Sequence, residues 1–206
     1  MLPGTFNPML VAAEEGIEVY YCGYAASGSS SVGGNVTIPP PKGSGRLLVA
    51  TTTSQRDAGS ASIGGIGMTN RRFINNSWTD VNIWSVLDDT LSGTAYAYHN
   101  PSSSGSNSTW IAIHAIYGLK SGGSLIQNAG GGQTTSAHLS AAKVGDVAMV
   151  YGGYRSASWS APSGYTRSLG SRHLSGFKII ESDGTAYISN GISSSYEYTF
   201  ASSLFR

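Results

Sequence analysis

A chain of 206 residues with only 11% charged side chains and a formal net charge of +1 carries no electrostatic footprint for nucleic acid or an anionic membrane surface. Its surface polarity must come from Ser, Thr, Asn and Gly. The 28 glycines mark tight turns, because apolar runs recur between them. One cysteine, Cys22, allows no intrachain disulfide and no cysteine-based metal cluster within one chain. Lying in VYYCGY, it reads as a small buried residue of a strand. No apolar run reaches the ~18 residues that span a bilayer.

Residues 1 to 16 read as an extended arm. Pro3, Gly4 and Pro8 block regular structure, while Leu2, Phe6, Met9, Leu10 and Val11 are apolar with no evident partner in sequence. Two readings stand: attachment to a neighbouring subunit, or packing onto the arm's own domain. The segment has no basic n-region and ends in Glu14-Glu15, so it is not read as a secretory signal. A protein acting outside cells without a signal leaves by lysis or by assembly into a particle.

Residues 17 to 206 read as one β domain. Ile17 to Tyr24 is a β-branched and aromatic strand, followed by a Gly/Ser loop to Asn35. Val36 to Ile38 enters three prolines, which exclude a central ladder position. Arg46 to Thr53 is a long strand whose Leu47-Leu48-Val49 run implies burial on both faces. Three glycines between Ile63 and Thr69 indicate a hairpin or bulge. Strands follow at Val81–Leu87, Thr94–His99 and Trp110–Ile116. A connector of about 20 residues precedes a further strand from Val147, and AHLSAAK has the composition for one helical turn.

Parts of the chain recur. KGSGRLLVATTT, NIWSVL, GTAYAYHN and STWIAIHAIYG are echoed in order by KVGDVAMVYGGY, SGFKIIES, DGTAYISNG and YEYTFASSLFR. Gly93–Tyr96 and Gly184–Tyr187 are the same GTAY. The pattern predicts an internal repeat over about residues 42–117 and 143–206, with two similar half-sheets packed into one sandwich.

These residues resemble the jelly-roll-type β-sandwich modules of tailed-bacteriophage virion proteins. The resemblance rests on the VTIP segment, a Gly-x-Leu-Leu-Val strand, NIWSVL, a strand ending in IYG, then VGDV and a PSGYT turn, and it covers about residues 36 to 206. Gly45-Arg46 stands where an acidic residue usually follows the glycine, and Tyr165 where the turn usually has Trp. The resemblance implies an antiparallel all-β, jelly-roll-like sandwich and a structural virion role in tail, fibre or spike, in host attachment, commonly as a homo-oligomer. That role places the protein in the virion, assembled in the host cytoplasm and released by lysis, with other virion proteins contacted through the arm. A head decoration protein and a secreted carbohydrate-binding module are the alternatives.

Chemistry is sparse. His99, His114, His138 and His173 stand at no metal-binding spacing, and no catalytic motif occurs, so no catalytic residue, cofactor or metal is assigned and the expectation is a non-enzyme. His114 reads as a packed or surface strand residue rather than a ligand. Asp57, Asp80, Asp146 and Asp183 flank turns, where a carboxylate serves backbone N–H groups. Four loop residues, Trp78, Tyr154, Arg155 and Trp159, have the character of a binding surface. They fit caps of the sandwich ends, a subunit interface, or a host surface glycan.

Overall fold

The computed structural model describes residues 10–12, 16–28, 31–54, 59–75, 79–101, 109–134, 136–154, 166–167, 173–189 and 198–206. Within them the chain is all-β, with no helix. Its first half supplies β1 (Leu10–Ala12), β2 (Glu18–Ser27), β3 (Val32–Ile38), β4 (Leu47–Ser54), β5 (Ser60–Ile63), β6 (Ile66–Gly67), β7 (Thr69–Ile74), β8 (Asp80–Leu87), β9 (Gly93–Asn100) and β10 (Thr109–Tyr117). Its second half supplies β11 (Leu125–Gly130), β12 (Ser136–Ala142), β13 (Val147–Tyr154), β14 (Thr166–Arg167), β15 (His173–Ile179), β16 (Gly184–Ser189) and β17 (Tyr198–Phe205).

The strands form four antiparallel sheets. A six-stranded sheet runs β1-β2-β10-β4-β8-β7, and a four-stranded sheet β3-β9-β5-β6. The second half forms a five-stranded sheet, β11-β17-β13-β15-β14, and a two-stranded sheet, β12-β16. Omitting β1, the six- and five-stranded sheets have the same order of connection: β2, β10, β4, β8, β7 against β11, β17, β13, β15, β14. The pairs β3-β9 and β12-β16 correspond in the same way.

Three apolar clusters fix how the sheets stack. The four-stranded sheet meets the six-stranded one through Val36, Ile38, Ala97, Leu48, Trp84 and Ile113. The other face of the six-stranded sheet meets the five-stranded one through Leu47, Val49, Ile83, Met149, Phe177 and Phe205. The five-stranded sheet then carries the two-stranded one on Val150, Leu174, Phe200, Leu139 and Ile188. The result is a stack of four layers, in which both central sheets are buried on both faces.

Layer position explains the sequence patterns. All eight residues of β4 are buried, so Leu47-Leu48-Val49-Ala50 is a continuous apolar run with successive side chains entering opposite cores. In the outer strand β9 only Ala95, Ala97 and His99 are buried, and the alternation is of period two. Doubly buried strands hide that alternation, which is why the two-sheet expectation becomes four layers.

Other differences are local. The connector expected over residues 119 to 137 contains β11 and the start of β12. AHLSAAK lies in β12 (Ser136–Ala142) and forms no helical turn, because Ala137, Leu139 and Ala142 fill the outermost core. The expected loop from Ala25 to Asn35 is shortened by both neighbouring strands. In the arm, Leu10–Ala12 pairs as an edge strand with the chain's own β2, Leu10 opposite Tyr20 and Val11 opposite Val19. Leu2, Phe6 and Met9 lie outside the described residues.

Arg46, at the entry to β4, is 1% exposed and ties the crossing from β3 to the loop after β8. Its Nε donates to the Asp88 carbonyl at 2.8 Å and Nη1 to the Pro39 carbonyl at 2.6 Å. Nη2 donates to Asp88 Oδ2 at 2.8 Å and to the Leu91 carbonyl at 2.7 Å. Burial of this cation is tolerated because nearly every donor of the guanidinium fork is used. Asp89 accepts from the N–H groups of Gly45 and Arg46 at 2.8 and 2.9 Å. In the second half, Asp183 accepts from the N–H of Val144 at 2.9 Å and Asp146 from that of Lys143 at 2.8 Å. These carboxylates hold turns, as their sequence positions imply.

Candidate functional site

Of the loop residues expected to bind, Trp78, Arg155 and Trp159 lie outside the described residues. Tyr154 ends β13, its backbone paired with Tyr198. Among the described residues, two other groups of side chains stand out.

The first is internal. Toward its C-terminal end β4 changes from Leu and Val to Thr51, Thr52 and Thr53, and the interface between the two central sheets changes from apolar to polar with it. Thr51 Oγ1 donates to Ser175 Oγ at 2.7 Å, and His114 Nε2 lies 2.8 Å from the same oxygen. His173 hydrogen-bonds Thr53 Oγ1 through Nδ1, and its Nε2 is 3.4 Å from Thr51 Oγ1. Thr199 Oγ1 donates to the Thr79 carbonyl at 2.7 Å. The first four of these contacts cross between the six-stranded and five-stranded sheets, and the last joins β17 to the residue that precedes β8.

The chemistry of this layer follows from its dryness. His114, His173, Ser175 and Thr51 have no exposed surface. Burial pushes His114 down to about 3 and His173 also to about 3, the latter helped by its neighbour His114. Both rings are therefore neutral at neutral pH. A Ser–His contact is the geometry of an activated nucleophile, but a ring this reluctant to take a proton is a poor general base near pH 7. The arrangement is suited to joining two sheets through neutral hydrogen bonds. Among the described residues, no group of three or more His, Cys, Asp or Glu is placed to hold a metal ion.

The second group is external and comes from the GTAY segments. Ala95 and Ala186 turn inward or sideways against the core, and Tyr96 and Tyr187 point outward, 54% and 60% exposed. On β9, Tyr98 follows two residues on, its ring 6.5 Å from that of Tyr96 and inclined by 21°. Tyr96 lies across the sheet onto β3, where a Cβ on Gly33 would sit 2.6 Å from its Cζ. Only glycine lets the ring lie flat there. On β16, Tyr187 stands edge-on to His138 of β12 at 4.7 Å. Beside it a cavity of about 200 Å³ is lined by Lys178, Glu181, Ser182, Asp183, Thr185 and Tyr187.

The two outer faces thus differ in charge. The face bearing Tyr96 and Tyr98 is made by strands without a single Asp, Glu, Lys or Arg. The face bearing Tyr187 is bordered by Lys178, Glu181 and the exposed Lys143–Asp183 ion pair at 3.1 Å. Strand alternation from Thr94 to His99 contained the signal for Tyr96 and Tyr98. What it did not contain is which face is outermost, since that depends on the stack.

Comparison with protein-family models, with curated proteins and with solved structures found no match for this chain.

Proposed function

We propose that the protein is a non-enzymatic structural component of a tailed-bacteriophage particle, of tail, fibre or spike type, acting in host attachment and built from two jelly-roll units arising by duplication. The observation that carries the reading is strand order. Counting β2, β3, β4, β5, β6, β8, β9 and β10 as eight strands, one sheet is ordered first-eighth-third-sixth and the other second-seventh-fourth-fifth. That interleaving matches a double Greek key and supports the jelly-roll reading. The second half repeats it in β11-β17-β13-β15 and β12-β16. A jelly-roll fold hosts many functions, and the low charge, the resemblance of residues 36 to 206 and the doubly buried central sheets favour a scaffold.

Particle incorporation runs through the arm at residues 1 to 16 and is multiplied by homo-oligomerisation, since several modest attachments reinforce one another. A secreted carbohydrate-binding module is a second reading, favoured by the exposed Tyr96 beside the half-buried Tyr98. Mass spectrometry of purified particles separates the two. Recovery of the chain in stoichiometric amounts with the particle supports the virion reading. Recovery only as free protein in the lysate or medium removes it.

A further inference from the structure

We propose that the outward face of the four-stranded sheet, centred on Tyr96 and Tyr98, binds a neutral glycan chain. The inference deepens the attachment role and rests on it for its biological meaning, but the binding itself is independent of particle assembly. Three observations carry it. Two tyrosine rings lie side by side on one strand, 6.5 Å apart and 21° from parallel, the first of them 54% exposed. Gly33 provides a bare stretch of backbone over which Tyr96 lies, so its outer ring face is offered to solvent. Around the rings stand exposed Asn35, Thr37, Thr94 and Asn100, all hydroxyls and amides.

These features select a ligand class by complementarity. Exposed ring faces match the apolar C–H faces of pyranose rings, and short hydroxyl and amide side chains match sugar hydroxyls. The four strands of this sheet supply no charged side chain, so nothing in them compensates the desolvation of a sulfate, carboxylate or phosphate. A neutral polysaccharide fits the face, whereas an anionic one does not. The two rings in a row suit consecutive units of a chain better than a single sugar.

The test is affinity gel electrophoresis of the full chain through neutral polysaccharides (a β-glucan, a mannan and a galactan) and through a sulfated polysaccharide, beside the Tyr96→Ala/Tyr98→Ala, Gly33→Ala and Phe73→Ala variants. Expected is retardation by at least one neutral polymer, with a dissociation constant on the order of millimolar, and none by the sulfated one. The double variant should bind at least ~10-fold more weakly. Gly33→Ala should also weaken binding by displacing the Tyr96 ring, and Phe73→Ala, on an edge strand of another sheet, should leave it unchanged. Urea unfolding of each variant checks that the fold is intact. Binding unchanged in the folded double variant, or no retardation by any neutral polymer, overturns the inference. Retardation of a chain that is absent from particles overturns the virion role and leaves the glycan face standing. A chain found in particles but never retarded does the reverse.

Discussion

Nε2 of His114 lies 2.8 Å from Oγ of Ser175, and this contact crosses the central boundary of the stack from β10 to β15. It belongs to a polar layer set beside an apolar one, so the two halves are held by hydrogen bonds at one end and by Leu47, Met149 and Phe205 at the other.

Acid should weaken the fold early. Burial depresses His114 and His173 to about 3 and His99 to about 4, from an ordinary value of 6.5. A histidine whose folded pKa is depressed binds its proton more readily when unfolded. Its contribution is fully present above pH 6.5 and is lost as pH falls toward the folded value. At pH 5 each ring costs roughly 2 kcal/mol, so three together cost about 6 kcal/mol, a large part of a typical stability. Urea midpoints should fall steeply between pH 7 and 5. A flat midpoint over that range would contradict neutral buried histidines.

Arg46→Ala should be among the most damaging substitutions in the chain. It leaves the buried Asp88 carboxylate without its cation, held only by Thr90 and Leu91, and takes a donor from the Asp88, Pro39 and Leu91 carbonyls, a loss of about 3–5 kcal/mol. Arg46→Lys should recover little, since an ammonium cannot reproduce the fork. Lys143→Ala, which breaks an ion pair whose side chains are 59% and 57% exposed, should hardly move the urea midpoint. Equal effects from the two sites would refute the burial argument.

Arg72 reaches from the edge of the six-stranded sheet into the other half. It donates to the Ala129 carbonyl at 2.9 Å, to the Gly130 carbonyl, and at 3.4 Å to the Ser202 carbonyl. Arg72→Ala should cost roughly 1.5–3 kcal/mol. Hydrogen exchange should accelerate at β11 and β17 more than at β3 and β9. Uniform acceleration across all sheets would show that Arg72 does not act as a local clamp.

Removing residues 1–9 should leave the urea midpoint unchanged while abolishing incorporation into particles. Removing residues 1–12 should additionally uncover the β2 edge, which Leu10–Ala12 pairs, and promote self-association. Normal incorporation of the shorter truncation would assign attachment to another surface.

Much of this fold was legible in the sequence because outer strands alternate with period two and turns carry Gly and Asp. Thr94 to His99 could be read that way directly, and Trp110 to Ile116, in a central sheet, from its β-branched and aromatic residues. The polar layer could not. Thr51 and Thr53 look like solvent-facing residues in sequence, and only a second sheet packed against β4 buries them. Ser136 to Ala142 misleads for a similar reason: its alanines suit a helix locally, and a neighbouring strand with a core to cover decides otherwise. Tyr96 and Tyr98 could be read as alternating with small residues along one strand, but they were not among the residues expected to bind, because their outward direction follows from the layer order. The loop residues Trp78, Arg155 and Trp159 stay outside the described residues, so their role rests on sequence alone.

Among the described residues, no ladder pairs a strand of the first half with one of the second. The backbone hydrogen bonds of each half are therefore closed within it, and residues 118–124 join two self-sufficient ladders. On the duplication proposed above, such a chain is a dimer written as one polypeptide, with halves free to diverge because they share no symmetry constraint. Fragments 1–118 and 124–206, made separately, should complement one another. Each alone would leave its share of the central boundary, Leu47 and Val49 in one and Met149 and Phe205 in the other, open to whatever apolar surface it met first.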